Sequence, residues 1–238
     1  MDKVTVQAEI ASYVGKLLRD NFGKGPSSVY VSIKKPYITM HLREFLSPME
    51  RVLISQQKDL KVEEIRDLLM NELLPEIKAT LNATHHINVS ELYYDWSLHN
   101  RSGIIIGVMD ENNTSDELVE EYPNQEAIHR EIDQVSKQAE RMPDSVDSCF
   151  LNERTLVVKR TGILVRIEKE LIRSGFEEPL KLTKRHLEKS LLETGDFNDI
   201  FNAEIMDIFV DWDFQEDISY IIFILKPTKS QGSNASDN

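Results

Sequence analysis

The feature that most constrains the fold of this chain is an internal repeat. Two similar segments, Leu-Tyr-Tyr-Asp-Trp-Ser-Leu-His at 92–99 and Ile-Phe-Val-Asp-Trp-Asp-Phe-Gln at 208–215, each contain an Asp-Trp pair. The pairs, Asp95-Trp96 and Asp211-Trp212, lie 116 residues apart and contain both tryptophans of the chain. Self-similarity at a fixed spacing indicates a duplicated structural unit rather than one large fold.

The two halves also match upstream of the Asp-Trp pairs, at an offset of 118 residues. Apolar positions at helical spacing coincide there: Ile10, Val14 and Leu17 with Ile128, Ile132 and Val135, and Leu53-Ile54 with Leu171-Ile172. Residues 111–126 between the halves carry six acidic and no basic side chains, a composition typical of a linker. We therefore predict a first unit at 1–110, an acidic linker at 111–126, a second, diverged unit at 127–227 and a disordered tail at 228–238.

Local patterns predict the order α-β-β-α-β-β within each unit. In the first unit, helical spacing predicts a helix over about 5–21 that ends at Gly23, and strands are predicted at 29–33 and 37–43. Ser47, Pro48 and Glu50 have the pattern of a capping box, which begins the next helix. Its apolar stripe continues over 62–77, where Pro75 is expected to kink the helix or split off its last turn. The strand at 92–98 is expected to be buried on one face, and 104–109 returns beside it.

The predicted fold class is α+β, with two tandem units that each form an antiparallel sheet with helices packed on one face. Hairpins supply local strand pairing, so each unit is expected to have its own core. Identical subunits favour two-fold contacts, and a fused duplicate inherits them. We therefore expect the two units to pack as a pseudo-symmetric pair.

Charge and cysteine content exclude several classes of protein. The 238 residues include 28 Lys and Arg against 41 Asp and Glu, a net charge of −13, which argues against nucleic-acid binding and against docking on an anionic bilayer. The longest apolar runs span about six residues, too short for membrane insertion. A lone Cys149 excludes a disulfide framework and points to a reducing compartment. We expect a cytoplasmic protein.

The first unit resembles a known bacterial family. The residues that carry the resemblance are Gly23-Lys24-Gly25-Pro26, Leu46-Ser47-Pro48-Met49-Glu50, Leu74-Pro75-Glu76 and Tyr94-Asp95, and together they resemble the MpsC-like family over residues 5–110. MpsC denotes component C of a sodium-translocating, membrane-potential-generating system, long described as a domain of unknown function. The second unit fits as a diverged copy, with Met142-Pro143-Asp144-Ser145 in place of the glycine loop and Val165-Arg166-Ile167-Glu168 in place of the Ser-Pro cap.

The candidate binding residues are the glycine loop and the two Asp-Trp pairs: Gly23, Lys24, Gly25, Asp95, Trp96, Asp211 and Trp212. The loop follows a helix, so a helix stop with a left-handed glycine is favoured over an anion nest. Each tryptophan is expected to anchor the sheet to a helix, with stacking on a ligand as the alternative. Each aspartate is expected to cap a turn or to pair with a basic residue of the other unit. Asp211 and Asp213 are expected on a solvated sheet face.

No catalytic residues, metal site or cofactor are predicted. The histidines lack ligand spacing and Cys149 lacks a His or Asn partner in sequence. The resemblance implies an accessory or regulatory protein that acts through protein–protein contacts with a membrane ion or bicarbonate transport assembly. The alternative is a small-molecule or ion sensor with a pocket between the two units near the tryptophans. A homo-oligomer is compatible with either hypothesis.

Overall fold

The computed structural model describes residues 3–110 and 121–226, which form two similar units. The first contains α1 (Lys3–Phe22), β1 (Ser28–Lys34), β2 (Tyr37–Arg43), α2 (Pro48–Ser55), α3 (Asp59–His85), β3 (Val89–Ser97) and β4 (Ser102–Met109). The second contains α4 (Gln125–Ala139), β5 (Ser145–Asn152), β6 (Thr155–Thr161), α5 (Arg166–Arg173), α6 (Glu177–Thr194), α7 (Phe197–Phe201), β7 (Ile205–Asp213) and β8 (Ile218–Leu225). The predicted α+β class and tandem arrangement are confirmed. The helical segment between the hairpins is a short helix followed by a long one.

Each unit folds into a four-stranded antiparallel sheet with the same topology. The strand orders are β1-β2-β4-β3 and β5-β6-β8-β7. The registers are also equivalent, because Tyr94 lies opposite Ile105 in the first sheet and Val210 lies opposite Ile221 in the second. The strands that carry the Asp-Trp pairs, β3 and β7, are therefore edge strands of their own sheets, and they lie beside each other.

Three apolar clusters hold the molecule together. One packs α1 and α3 onto the first sheet, around residues such as Ile10 and Met70, and a second packs α4 and the C-terminal half of α6 onto the second sheet. The third lies between the sheets and draws on both units, including Tyr93, Phe209 and Ile222. Each unit thus has its own core, and the third cluster packs the two units as a pair.

The third cluster corrects the expectation that strand 92–98 is buried on one face only. Its helix-facing residues are buried, as predicted, but Tyr93 and Asp95 on the opposite face are buried as well. The reason is that the second unit's sheet covers this face at Tyr93 and Asp95. Each sheet has helices on one face and the other sheet on its second face.

The helix α3 excludes one of the two alternatives expected at Pro75. The last turn is not split off, because α3 continues ten residues beyond the proline, to His85. A proline removes one backbone hydrogen bond from a helix interior. Ile77 and Leu81, beyond the proline, are fully buried in the first core, and this packing keeps the helical path.

Helix ends in the first unit follow the sequence signals. Gly23 adopts φ +73° directly after α1, which confirms the left-handed helix stop. The Ser47 side chain accepts from the Glu50 amide, and the Glu50 carboxylate accepts from the Ser47 amide at 2.6 Å, which confirms the capping box. In the second unit Val165 offers no acceptor, and only the carboxylate half remains, with the Val165 amide 2.9 Å from Glu168 Oε2.

Of the predicted linker, residues 111–120 lie outside the described residues, as does the predicted tail at 228–238. The described end of the linker belongs structurally to the second unit. Tyr122 packs against the second core and its hydroxyl lies 2.5 Å from Ser148 Oγ. The helix α4 then begins at Gln125.

Candidate functional site

The two aspartates of the Asp-Trp pairs join the units through a reciprocal set of hydrogen bonds. Asp95 Oδ2 accepts from the Val210 amide at 2.8 Å, and Asp211 Oδ2 accepts from the Tyr94 amide at 2.7 Å. The other oxygen of each carboxylate accepts from the amide of the following tryptophan, at 2.7 and 2.9 Å. The edge strands β3 and β7 are thereby connected by carboxylates rather than by a continuous backbone ladder. Equivalent atoms make equivalent bonds, so the contact has pseudo-two-fold symmetry.

Basic residues of α6 neutralise these carboxylates. Arg185 Nε lies 2.9 Å from Asp95 Oδ1, Lys189 Nζ lies 2.8 Å from Asp95 Oδ2, and Lys181 Nζ lies 2.7 Å from Asp211 Oδ1. The three bases are four residues apart, so they form one stripe along α6. Asp95 was expected either to cap a turn or to pair with a basic residue of the other unit, and the second alternative is confirmed. The solvated face expected for Asp211 is wrong, because its side chain is 3% exposed and closed off by the other unit.

The helices α3 and α6 meet beside this contact with complementary charges. Arg185 Nη1 lies 3.2 Å from Asp67 Oδ2 and 3.4 Å from Glu63 Oε2. At the 118-residue offset, Glu63 is equivalent to Lys181 and Asp67 to Arg185, so the two copies carry opposite charges at equivalent positions. If a second copy of the first unit took the place of the second unit at this junction, acidic side chains would face acidic side chains. The charges therefore specify pairing between unlike copies.

Burial and charge together shift the pKa values in this cluster. Burial raises the pKa of Asp67 above its usual range, and the charges of Arg185 and Lys181 offset only part of that effect. Burial opposes the charge of Arg185, but Asp95 and Asp67 outweigh it and raise the guanidinium pKa. Burial also disfavours ionised Glu63, yet the hydrogen bond from His186 and the Arg185 charge bring the Glu63 pKa below its ordinary value. The same hydrogen bond raises the pKa of His186.

Both tryptophans anchor their sheets to helices, as expected. Trp96 is 1% exposed and its indole nitrogen lies 3.4 Å from Asp67 Oδ1, while Trp212 is 5% exposed and donates to Glu188 Oε1 at 3.2 Å. This burial leaves neither ring face open to a ligand in the described arrangement. The two rings lie in the two separate cores and do not contact each other.

A buried cation lies over each tryptophan at equivalent positions. The Arg66 guanidinium carbon is 4.7 Å from the Trp96 ring centre and Lys184 Nζ is 5.8 Å from that of Trp212. Each cation also pairs with the capping-box glutamate of its own unit: Arg66 with Glu50 at 2.7 Å and Lys184 with Glu168 at 3.0 Å. The repeat thus preserves a three-part arrangement of tryptophan, cation and glutamate.

The glycine loop lies apart from the junction. Gly23 is exposed, and the Lys24 ammonium donates to the Leu46 carbonyl at 3.1 Å, which ties the loop to the segment before α2. A side chain at Gly25 would lie 2.8 Å from the Gly15 carbonyl, so this glycine permits close packing against α1. Of the predicted site residues, the structure brings together the two Asp-Trp pairs and leaves out Gly23, Lys24 and Gly25.

Two of the cavities between the units adjoin the end of β3. One of about 330 Å³ is lined by the end of β3 and by α6, including Trp96, His99, His186 and Glu193. The other, of about 530 Å³, shares Ser97 and Glu193 with the first and also includes Asn100, Ser102 and Asp207. Asp207 is held there by Asn100 Nδ2 at 2.8 Å and Ser102 Oγ at 2.7 Å. The larger cavity is mainly polar and the smaller one mainly apolar, and both use residues from each unit.

Sequence reasoning missed the charged residues that complete the junction, Glu63, Asp67, Lys181, Arg185 and Lys189. It also missed the cations over the tryptophans, Arg66 and Lys184. A signal for the junction residues was present in the spacing of the α6 bases and in the charge reversal at the 118-residue offset. Charged helical residues are usually solvated, so this spacing alone favours a surface helix. Only comparison of the two copies distinguishes a junction from a surface.

Comparison with known proteins identifies one family. The family model described as "Na+-translocating membrane potential-generating system (MpsC)" matches residues 2–111 and again residues 124–227. No curated protein matches the chain. No solved structure matches it either. Within the ranges 3–110 and 121–226, every helix is too short or too polar to cross a membrane.

Proposed function

The chain belongs to the MpsC family, in two tandem copies, and we propose that it is a non-enzymatic accessory or regulatory protein of a membrane ion-transport assembly. It acts through contacts with protein subunits of that assembly, from the cytoplasmic side. The observation that carries the proposal is that both halves match one family described as part of a Na+-translocating system. Duplication without a recognisable catalytic motif supports a binding role for the pair.

The geometry of the junction is consistent with such a role. Three fully buried charged groups, Asp95, Asp211 and Arg185, are occupied in joining the two copies. The joined pair presents two units of different charge, one nearly neutral and the other acidic. Residues 1–110 carry 13 basic and 14 acidic side chains, whereas residues 127–238 carry 15 basic and 21 acidic ones. The second unit is therefore suited to a partner with a basic surface.

Affinity purification tests this proposal. The full chain, tagged and expressed at native level in its own host, is cross-linked in cells and recovered from detergent-solubilised membranes. We expect membrane subunits of an ion-transport assembly to be enriched over an untagged host. A matched variant, Asp95→Asn, weakens the joining of the units and should recover less of them. Recovery of no membrane subunit by the tagged native chain contradicts the proposal. Genes adjacent to this one that encode transporter-like subunits would support it independently.

The second candidate function is that of a small-molecule or ion sensor. The cavity of about 330 Å³ beside Trp96 favours it, because the cavity lies between the units and is lined by His99, His186 and Glu193. A ligand there would change the environment of Trp96. The variant Trp212→Phe leaves Trp96 as the single indole fluorophore, and its emission can be titrated with a panel of metabolites and metal ions. A flat response across the panel removes this candidate.

A further inference from the structure

The exposed face of α3 carries apolar side chains at two positions where the equivalent helix of the second unit has polar ones. Ile65 is 45% exposed and Leu68 is 60% exposed. At the 118-residue offset, these positions are Thr183 and His186 in α6, which are both polar and exposed. Because the two helices occupy equivalent places in equivalent units, the difference is specific to the first unit. An exposed apolar stripe of this kind marks an interaction surface.

Charged residues flank the two apolar residues symmetrically. Lys61 lies four residues before Ile65, and Glu72 lies four residues after Leu68. At about 100° per residue, Lys61, Ile65, Leu68 and Glu72 fall within roughly 60° of one another around the helix. They form one stripe about 16 Å long, with a base at one end, an acid at the other and apolar side chains between. We call these four residues the α3 stripe.

We propose that the α3 stripe is a dimer interface on which a second copy of this chain docks, with the two α3 helices antiparallel. A two-fold rotation of the stripe places Ile65 against the partner copy's Leu68 and Lys61 against its Glu72, at both ends. The pattern is therefore complementary to itself. A partner with an unrelated sequence would have no reason to match this symmetry.

The present contacts of the charged ends leave them available for this pairing. Lys61 forms an exposed intrahelical pair with Glu64 at 2.6 Å, which is weak because both side chains are hydrated. Glu72 is exposed, and no hydrogen bond or ion pair engages it within residues 3–110 and 121–226. Exposed ion pairs contribute little affinity, so the apolar centre supplies the binding and the charges fix the antiparallel direction.

The arrangement also predicts a closed assembly. Only the first unit carries the stripe, since α6 has Pro179, Thr183, His186 and Ser190 at the four equivalent positions. One self-complementary patch per chain closes a two-fold dimer and leaves no second patch for growth. The dimer would then contain four units, two from each chain.

Sedimentation of the purified full chain over a wide range of concentrations tests the proposal. We expect a reversible monomer–dimer equilibrium, and we expect Ile65→Glu to raise the dimer dissociation constant by at least about tenfold. The matched control is Thr183→Glu, the same change at the equivalent exposed position of α6, which should leave the constant unchanged. Leu68→Glu provides a second variant at a more exposed position, and unchanged circular dichroism checks that each variant is folded.

Charge reversal tests the antiparallel direction. Lys61→Glu places like charges together at both ends of the stripe and should weaken the dimer. The weakening should be smaller at high salt, which screens the repulsion. The double variant Lys61→Glu with Glu72→Lys should restore the dimer. A chain that stays monomeric at all concentrations overturns the proposal, as does a dimer insensitive to Ile65→Glu and Leu68→Glu. A monomer whose membrane partners are lost with Ile65→Glu would assign the stripe to another protein, and this also overturns it. The experiment needs no transport subunit, so its failure is separate from failure of the proposed function.

Discussion

Replacing Asp95 with asparagine is expected to be strongly destabilising, because both carboxylate oxygens are fully used. Oδ1 lies 2.7 Å from the Trp96 amide and 2.9 Å from Arg185 Nε. Oδ2 lies 2.8 Å from the Val210 amide and from Lys189 Nζ. Asparagine turns one of these oxygens into an NH₂ group, so donors face donors in either orientation of the amide.

The expected magnitude follows from burial. Asp95 and Arg185 have side chains that are 0% and 1% exposed, so the substitution leaves a buried cation short of its nearest partner. Breaking a buried pair in this way costs about 3–5 kcal/mol. Arg185 retains Asp67 and Glu63, which places the expected loss near 3 kcal/mol. Asp211→Asn should cost less, about 1–2 kcal/mol, because its cation Lys181 is 20% exposed and can be hydrated.

Urea unfolding followed by tryptophan fluorescence and circular dichroism measures both losses. The control is Glu126→Gln, in an exposed pair with Arg130, which should change stability by less than about 0.5 kcal/mol. An Asp95→Asn loss below about 1 kcal/mol would refute the reasoning, since the buried pair would then contribute no more than a surface one. A loss no larger than that of Asp211→Asn would refute it equally.

Three further predictions concern the pH dependence of stability, the packing around Trp96 and the cap of α2. Burial raises the pKa of Glu140 from 4.5 to about 7. The folded state therefore holds this proton more tightly than the unfolded state does. The resulting stabilisation is fully present below pH 4.5 and is lost as the pH rises through about 7. Glu140→Gln should therefore flatten the fall in the urea midpoint between about pH 5 and pH 8, and an unchanged slope contradicts this. Gly103→Ser should cost about 2–3 kcal/mol by thermal unfolding, because a Cβ there would lie 2.5 Å from the Trp96 ring. We expect this loss although the equivalent residue of the second unit is Ser219. A melting temperature equal to that of the native chain would disprove it. Ser47→Ala removes one half of the capping box and should lower the free energy of unfolding by about 1 kcal/mol in the same assay. An unchanged stability would show that the cap does not stabilise the fold.

The local elements of this fold were predictable because local signals determine them. Gly23 ends α1 through its left-handed conformation, and Ser47 and Glu50 begin α2 through their capping box. Local signals did not decide between continuation of α3 past Pro75 and loss of its last turn, since this depends on the burial of Ile77 and Leu81 by distant parts of the chain. Local propensity is overridden there by tertiary packing.

The packing of the sheets face to face was missed although a signal for it exists. Ile104, Ile105 and Ile106 form a continuous apolar run, as do residues 220–225. Such runs are typical of strands buried on both faces, whereas a half-solvated strand alternates. In β3 the polar Asp95 interrupts the run, so the strand was interpreted as half-exposed. Its carboxylate is buried because charges about 90 residues away, on α6, neutralise it.

The central claim is that the two copies are joined through the reciprocal aspartate bonds, and amide hydrogen exchange at two residues tests it most directly. The Tyr94 and Val210 amides point away from their own sheets, and each bonds to a carboxylate of the other unit. In joined units, both amides should exchange about as slowly as the paired amides of β3 and β7. In the Asp95→Asn variant, protection at Val210 should fall while its strand neighbours stay protected. Rapid exchange at Tyr94 and Val210 in the native chain, with the sheet amides still protected, would mean that the units are separate in solution and would contradict the claim.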